Sequence, residues 1–167
     1  MDDAPHIYCT IAHNPWRQAK APATLVRKAV RAALAVARAE GVNGEISIVL
    51  SSDSEIRQLN ATWRGKDTPT NVLSFAAHDA SGQHPCPQGS DALGDIILAF
   101  ETCRREARTE GKPLEHHMAH LVVHGVLHLL GHDHMRSAEA ETMMALEIRA
   151  LAMMGIPDPY NIHSKES

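Results

Sequence analysis

The stretch from His124 to His134 reads H-G-V-L-H-L-L-G-H-D-H, and its spacing decides both what the segment folds into and what it can bind. Apolar residues lead into it at Met118, Leu121, Val122 and Val123, which predicts a helix over residues 114–130. On a helix, His124 and His128 stand four residues apart and share a face at about 5–6 Å. Gly131 is the residue type that ends a helix in the left-handed conformation, and the turn it permits would bring His134 back toward the pair. Among 12 histidines an isolated H-x-x-x-H pair carries little. The glycine and third histidine at fixed offsets make His124, His128 and His134 a candidate metal-ligand set. Three imidazoles with a fourth position open are the pattern of catalytic zinc, whereas structural zinc is closed by four protein ligands, usually including cysteine. Asp133 lies in the same turn. It would either orient a ligand imidazole through its second N–H or bond its own backbone as a turn residue.

The spacing H-x3-H-x2-G-x2-H is also that of the metzincin peptidases, whose first histidine is followed by a glutamate acting as general base. Here that position is Gly125, so peptidase chemistry would need a base from elsewhere.

Outward from this helix the chain reads as mixed α and β, without repeats or low-complexity tracts. Strands are predicted over 7–11, 45–50, 70–76 and 95–100. Helices are predicted over 22–40, from a Ser52/Glu55 capping box to about 63, up to about 110, over 114–130 and over 137–154. The expected fold is a single α+β domain over residues 1–167: about four strands in a mixed sheet, packed against about five helices, with the metal site on a central helix. The Gly/Pro/Ser-rich segment 77–92 reads as a long loop. His117, His120, His124 and His128 step by three, four and four along one helical stripe. His120 is therefore a hydrogen-bonded, half-buried histidine, a group that supports the metal ligands from behind, or a phosphate contact; His116 falls off the stripe and reads as surface.

Bulk properties narrow the class. At 167 residues and 44% hydrophobic there is room for one core. No apolar run approaches the roughly 18 residues of a membrane span, and Met1-Asp2-Asp3 has the wrong charge to open a secretory signal; the expected location is the cytoplasm. Cys9, Cys86 and Cys103 are odd in number and scattered, which suggests free thiols, with Cys9 buried in a strand. A formal charge of −4 argues against a protein that coats nucleic acid, since such domains are usually basic. It does not exclude an enzyme acting on RNA. No acid occurs between Asp3 and Glu40, where Arg17, Lys20, Arg27, Lys28, Arg31 and Arg38 supply a basic stretch; such residues more often form a solvated helix face than a phosphate track.

Together with N-A-T-W-R-G-K-D-T-P-T-N-V-L-S-F from Asn60 to Phe75 and L-G-D-I from Leu93 to Ile96, the histidine motif resembles the YbeY family of bacterial rRNA maturation factors, over about residues 45–160. The resemblance implies a single-domain, metal-dependent endoribonuclease acting in 16S rRNA 3′-end maturation and ribosome quality control; with the histidine set, the expected activity is that of a zinc-dependent, single-strand-specific endoribonuclease. Its implied partners are single-stranded RNA, the small ribosomal subunit and assembly proteins. By position, His124, His128 and His134 match the family's metal ligands and Arg64 its functionally important arginine. A guanidinium can hold two phosphate oxygens at once, which makes Arg64 the candidate clamp for charge developing on the scissile phosphate. Lys66 would assist as a point charge. Asp95, at a strand start, is either an acceptor near the metal or a residue that satisfies the strand end. No residue stands out as general base, and two other classes stay open: a zincin-like peptidase, and a ribosome-assembly factor in which the metal only stabilises the fold.

Overall fold

The computed structural model describes residues 5–39, 41–42, 44–77, 92–132 and 136–161. Four strands form one sheet: β1 (His6–Ile11), β2 (Glu45–Ser51), β3 (Val72–Ala76) and β4 (Ala92–Ala99), in the order β1-β2-β4-β3. β1, β2 and β4 run parallel; β3 pairs antiparallel with β4 and forms an edge. The helices are α1 (Pro22–Val36), α2 (Asp53–Arg64), α3 (Phe100–Thr109), α4 (Leu114–Leu129) and α5 (Ser137–Met153). This is the α+β architecture expected, with α4 at its centre. No helix among the described residues is long and apolar enough to cross a membrane.

Strand alternation sorts the core into two faces. Ile46, Ile48 and Leu50 of β2 and Ile96 and Leu98 of β4 are fully or almost fully buried, in one cluster with α1, α4 and α5. The alternate residues Ile97 and Ala99, with Leu73 and Phe75 of β3, pack on the other face against Ile56 of α2. The histidine helix and the helix that ends in Arg64 thus lie on opposite sides of the sheet. They communicate around the edge strand β3.

Helix ends account for the differences from expectation. α1 stops at Val36, not at 40, because Arg38 takes the left-handed conformation (φ 55°) and the Ala39 N–H closes on Leu34 O at 2.8 Å. That geometry is usually given to glycine; Gly41 does not supply it. Half of the predicted capping box forms: Ser52 Oγ accepts from the Glu55 N–H at 3.2 Å, while the Glu55 carboxylate accepts from Ser51 Oγ at 2.6 Å. Asp53 takes over the tie to the next helix, accepting from Thr102 N and Oγ1 at 2.9 and 2.8 Å. Gly65 (φ 70°) ends α2, with the Lys66 N–H donating to Asn60 O, and so fixes Arg64 in the last turn. β4 begins at Ala92, earlier than expected. Cys9 lies in β1 but is only half-buried, because β1 is the other edge of the sheet. Cys103 is buried, and burial pushes both thiols up from their ordinary range. Cys86 and most of the predicted loop 77–92 lie outside the described residues.

Candidate metal centre

α4 presents its histidines as the periodicity requires, and each is held differently. His117 is buried, with Nε2 against Glu106 Oε1 at 2.8 Å. Burial holds its pKa down even though the Glu106 carboxylate favours the protonated ring. His120 Nε2 lies 2.5 Å from Glu147 Oε1. His124 Nδ1 lies 3.1 Å from Glu147 Oε2, and its Nε2 faces His128 Nε2 at 3.0 Å. His116, expected at the surface, is half-buried.

The His124–His128 pair fits one cation. A carboxylate can only accept, so the proton of His124 sits on Nδ1 and Nε2 carries the lone pair. Two nitrogens bound at about 2.0–2.1 Å to a tetrahedral ion would stand roughly 3.3 Å apart, close to the observed 3.0 Å. The turn beyond the helix also forms: Gly131 is left-handed (φ 95°) and the His132 N–H closes on Leu127 O at 3.0 Å. His132 thereby joins His128 in the wall of one cavity. His134 and Asp133 lie outside the described residues. Among the described residues, no set of three or more His, Cys, Asp or Glu side chains is placed to hold an ion.

His124, His128 and His132 line a cavity of about 790 Å³ together with Asn71, Ser74 and Arg64. Arg64 comes from α2 and turns round the free edge of β3, where Nη2 donates to Ser74 O at 2.9 Å and the guanidinium lies over the Phe75 ring, 4.7 Å from its centroid. The structure therefore brings Arg64 to the histidine pair. It does not bring Lys66, which is exposed and not part of the cavity wall. Nor does it bring Asp95: that residue pairs with Phe75 across the strands and, by alternation with Gly94 and Ile96, projects from the α2 face. His120 lines a smaller neighbouring cavity of about 290 Å³ with Lys112, Asn71 and Tyr160.

Gly125 has a packing reason that sequence did not reveal. A Cβ there would stand 3.0 and 3.1 Å from Ile96 carbons and 3.1 Å from Ser74 Oγ, so glycine lets α4 lie close against β3 and β4. Gly125→Glu is expected to be less stable than the parent, to bind metal more weakly and to cleave no casein. Losing a helical glycine gains up to about 1 kcal/mol, whereas wedging a longer side chain into a packed contact costs about 1–3 kcal/mol. A melting curve at or above the parental temperature would show that the contact gives way freely.

Two residues that sequence reasoning passed over complete the picture. Glu147 of α5 is 1% exposed. Its Oε1 also accepts from Tyr160 Oη at 2.5 Å. Burial alone would push the carboxyl up, but the bonds from His120, His124 and Tyr160 outweigh it and bring the pKa down to about 2. The Tyr160 phenol is pushed up, by burial and by that carboxylate. A signal for Glu147 was present: it falls on the apolar stripe of α5 with Met143, Ala150 and Leu151, where a lone acid calls for a partner. Tyr160 lies beyond the last helix, where no periodicity marks it.

Comparison with known proteins shows what the whole chain is similar to. A family model described as Endoribonuclease YbeY matches residues 11–155. Proteins named Endoribonuclease YbeY from Rhodopseudomonas palustris are 50% identical over 150 residues (strain BisA53; 90% of this chain, 87% of the relative) and 52% identical over 155 residues (strain HaA2; 90% and 78%). One from Bradyrhizobium strain BTAi1 is 48% identical over 154 residues, covering 90% of this chain and 89% of its own. The solution structure of TM1509 from Thermotoga maritima superposes with a TM-score of 0.56 at 20% identity, covering 96% of each chain; that likeness concerns the fold.

Proposed function

Because the chain belongs to the YbeY endoribonuclease family, we propose that it is a metal-dependent endoribonuclease that cuts single-stranded RNA, with residues 1–167 acting as one catalytic domain in the cytoplasm. The observation that carries this reading is the convergence of Arg64 on the cavity that holds His124 and His128. Those two histidines, with His134, would hold a zinc ion. Such an ion, when bound, supplies Lewis-acid stabilisation of charge on a phosphodiester. Arg64 is anchored through one N–H on Ser74 O and by its face on Phe75, which leaves further N–H donors to hold a phosphate in the cavity. A donor fixed in advance spends no reorganisation when charge develops on the phosphate oxygens. The biological substrate we assign is rRNA, at the 3′ end of the 16S species, in small-subunit maturation and ribosome quality control with ribosomal and assembly proteins as partners.

Three features weigh against a peptidase. Gly125 supplies no base and is committed to packing. No carboxylate is among the described residues of the cavity wall. The third lies on β3, the edge strand beside the cavity, where a peptide would pair by strand addition; its Ser74 carbonyl is already engaged by Arg64. The deciding experiment incubates zinc-loaded protein with end-labelled single-stranded RNA and, in parallel, with casein. We expect RNA cleavage that chelator removes and zinc restores. Casein cleavage instead would establish the peptidase, and RNA binding without any cutting would establish an assembly factor.

A further inference from the structure

We propose that Glu147 is a positioning residue that fixes the His124 imidazole with its proton on Nδ1 and its lone pair on Nε2, and that Tyr160 in turn holds Glu147. This inference rests on the reading of His124 and His128 as metal ligands. The carboxylate is almost wholly buried and spends both oxygens: Oε2 on His124 Nδ1, Oε1 on His120 Nε2 and Tyr160 Oη. A carboxylate on the apolar stripe of α5 is a costly choice, since its desolvation must be repaid by bonds of good geometry, and an aliphatic side chain would fill the same space without that cost. What an aliphatic side chain cannot do is dictate which nitrogen of His124 carries the proton. Left alone, a neutral imidazole exchanges between two tautomers. With a carboxylate on Nδ1, the lone pair is confined to Nε2, the atom that faces His128.

His120 serves this arrangement and not the chemistry of the cavity. Its Nε2 is spent on Glu147, and its Nδ1 is buried without a hydrogen-bond partner, so neither nitrogen is offered to a substrate as a base. Among the described residues, Tyr160 is the partner of Glu147 that comes from outside α4. Its hydroxyl ties the segment after α5 to the back of the site.

The test uses the full chain and zinc itself. Glu147→Gln keeps the shape and removes the charge, and it should weaken zinc binding about 10–100-fold, the usual effect of removing such a partner, in a competition titration against a chelator. Tyr160→Phe should weaken zinc several-fold with the fold intact. In the metal-free protein, nitrogen NMR of His124 should show the Nδ1–H tautomer in the parent and a mixture in Glu147→Gln. A purely structural role would lower the melting temperature without changing the tautomer. Parental zinc affinity and an unchanged tautomer in Glu147→Gln would overturn the inference, as would an unchanged affinity in Tyr160→Phe should the first variant not fold. His124→Ala serves as the control: if it binds zinc like the parent, the metal site itself has been misassigned and not merely its support.

Discussion

His128→Ala is expected to lose most of its bound zinc and all RNA cleavage. The substitution removes one of two imidazoles whose Nε2 atoms stand 3.0 Å apart, leaving His124, still oriented by Glu147, with one fewer neighbour to share an ion. Metal retained by the native state alone stabilises by mass action, by about 4.1 kcal/mol at a thousand times the dissociation constant. The parent should therefore melt well above the variant in zinc, and the two should melt close together in chelator. Metal analysis of the purified variant is the check. A full equivalent of zinc in it would remove His128 from the ligand set.

Arg64→Ala should keep its zinc and most of its stability while RNA cleavage falls about 10²–10³-fold, the usual cost of losing one preorganised stabiliser of developing charge. The guanidinium is exposed, with one bond to Ser74 O and one aromatic face beneath it. An exposed cation over a ring contributes about 0.5–1 kcal/mol, so the melting temperature should drop only slightly. Arg64→Lys should recover part of the activity, because an ammonium provides charge without the planar fork. Rates compared at equal metal content decide it. Parental turnover in Arg64→Ala would end the clamp, and unfolding would make the residue structural.

The long periodic elements were legible in the sequence because burial imposes their period. The apolar lead into His124 made α4 readable to within a residue, and the histidine stripe followed from its 3.6-residue repeat. Backbone exceptions were not legible: nothing local says that Arg38, and not Gly41, will take the left-handed turn after α1. Asp95 stayed open between two readings for a different reason. Its side of the sheet follows from Ile96 facing α4 and Phe75 facing α2, and that parity becomes readable only once β3 is known to pair with β4. Arg64 was marked by its motif, but its route round an edge strand to the histidines is a property of strand order. Glu147 and Tyr160 act across tertiary contacts 13 to 40 positions apart in the chain, distances over which no local pattern operates.

A polypeptide emerges from its N-terminus, and the two sides of this cavity are made at different times. Arg64 and β3 come first, then α4 with its histidines, and only afterwards α5 and the segment that carries Tyr160. At about 5–20 residues per second, Tyr160 follows His128 by an interval on the order of seconds. During it, the emerging chain has its histidines and Arg64 but neither Glu147 nor the hydroxyl that holds it. If Glu147 positions His124 as proposed, a chain that has made α4 but not yet α5 would hold zinc about 10–100-fold more weakly than the finished fold, so the order of synthesis sets the order in which the site gains its metal.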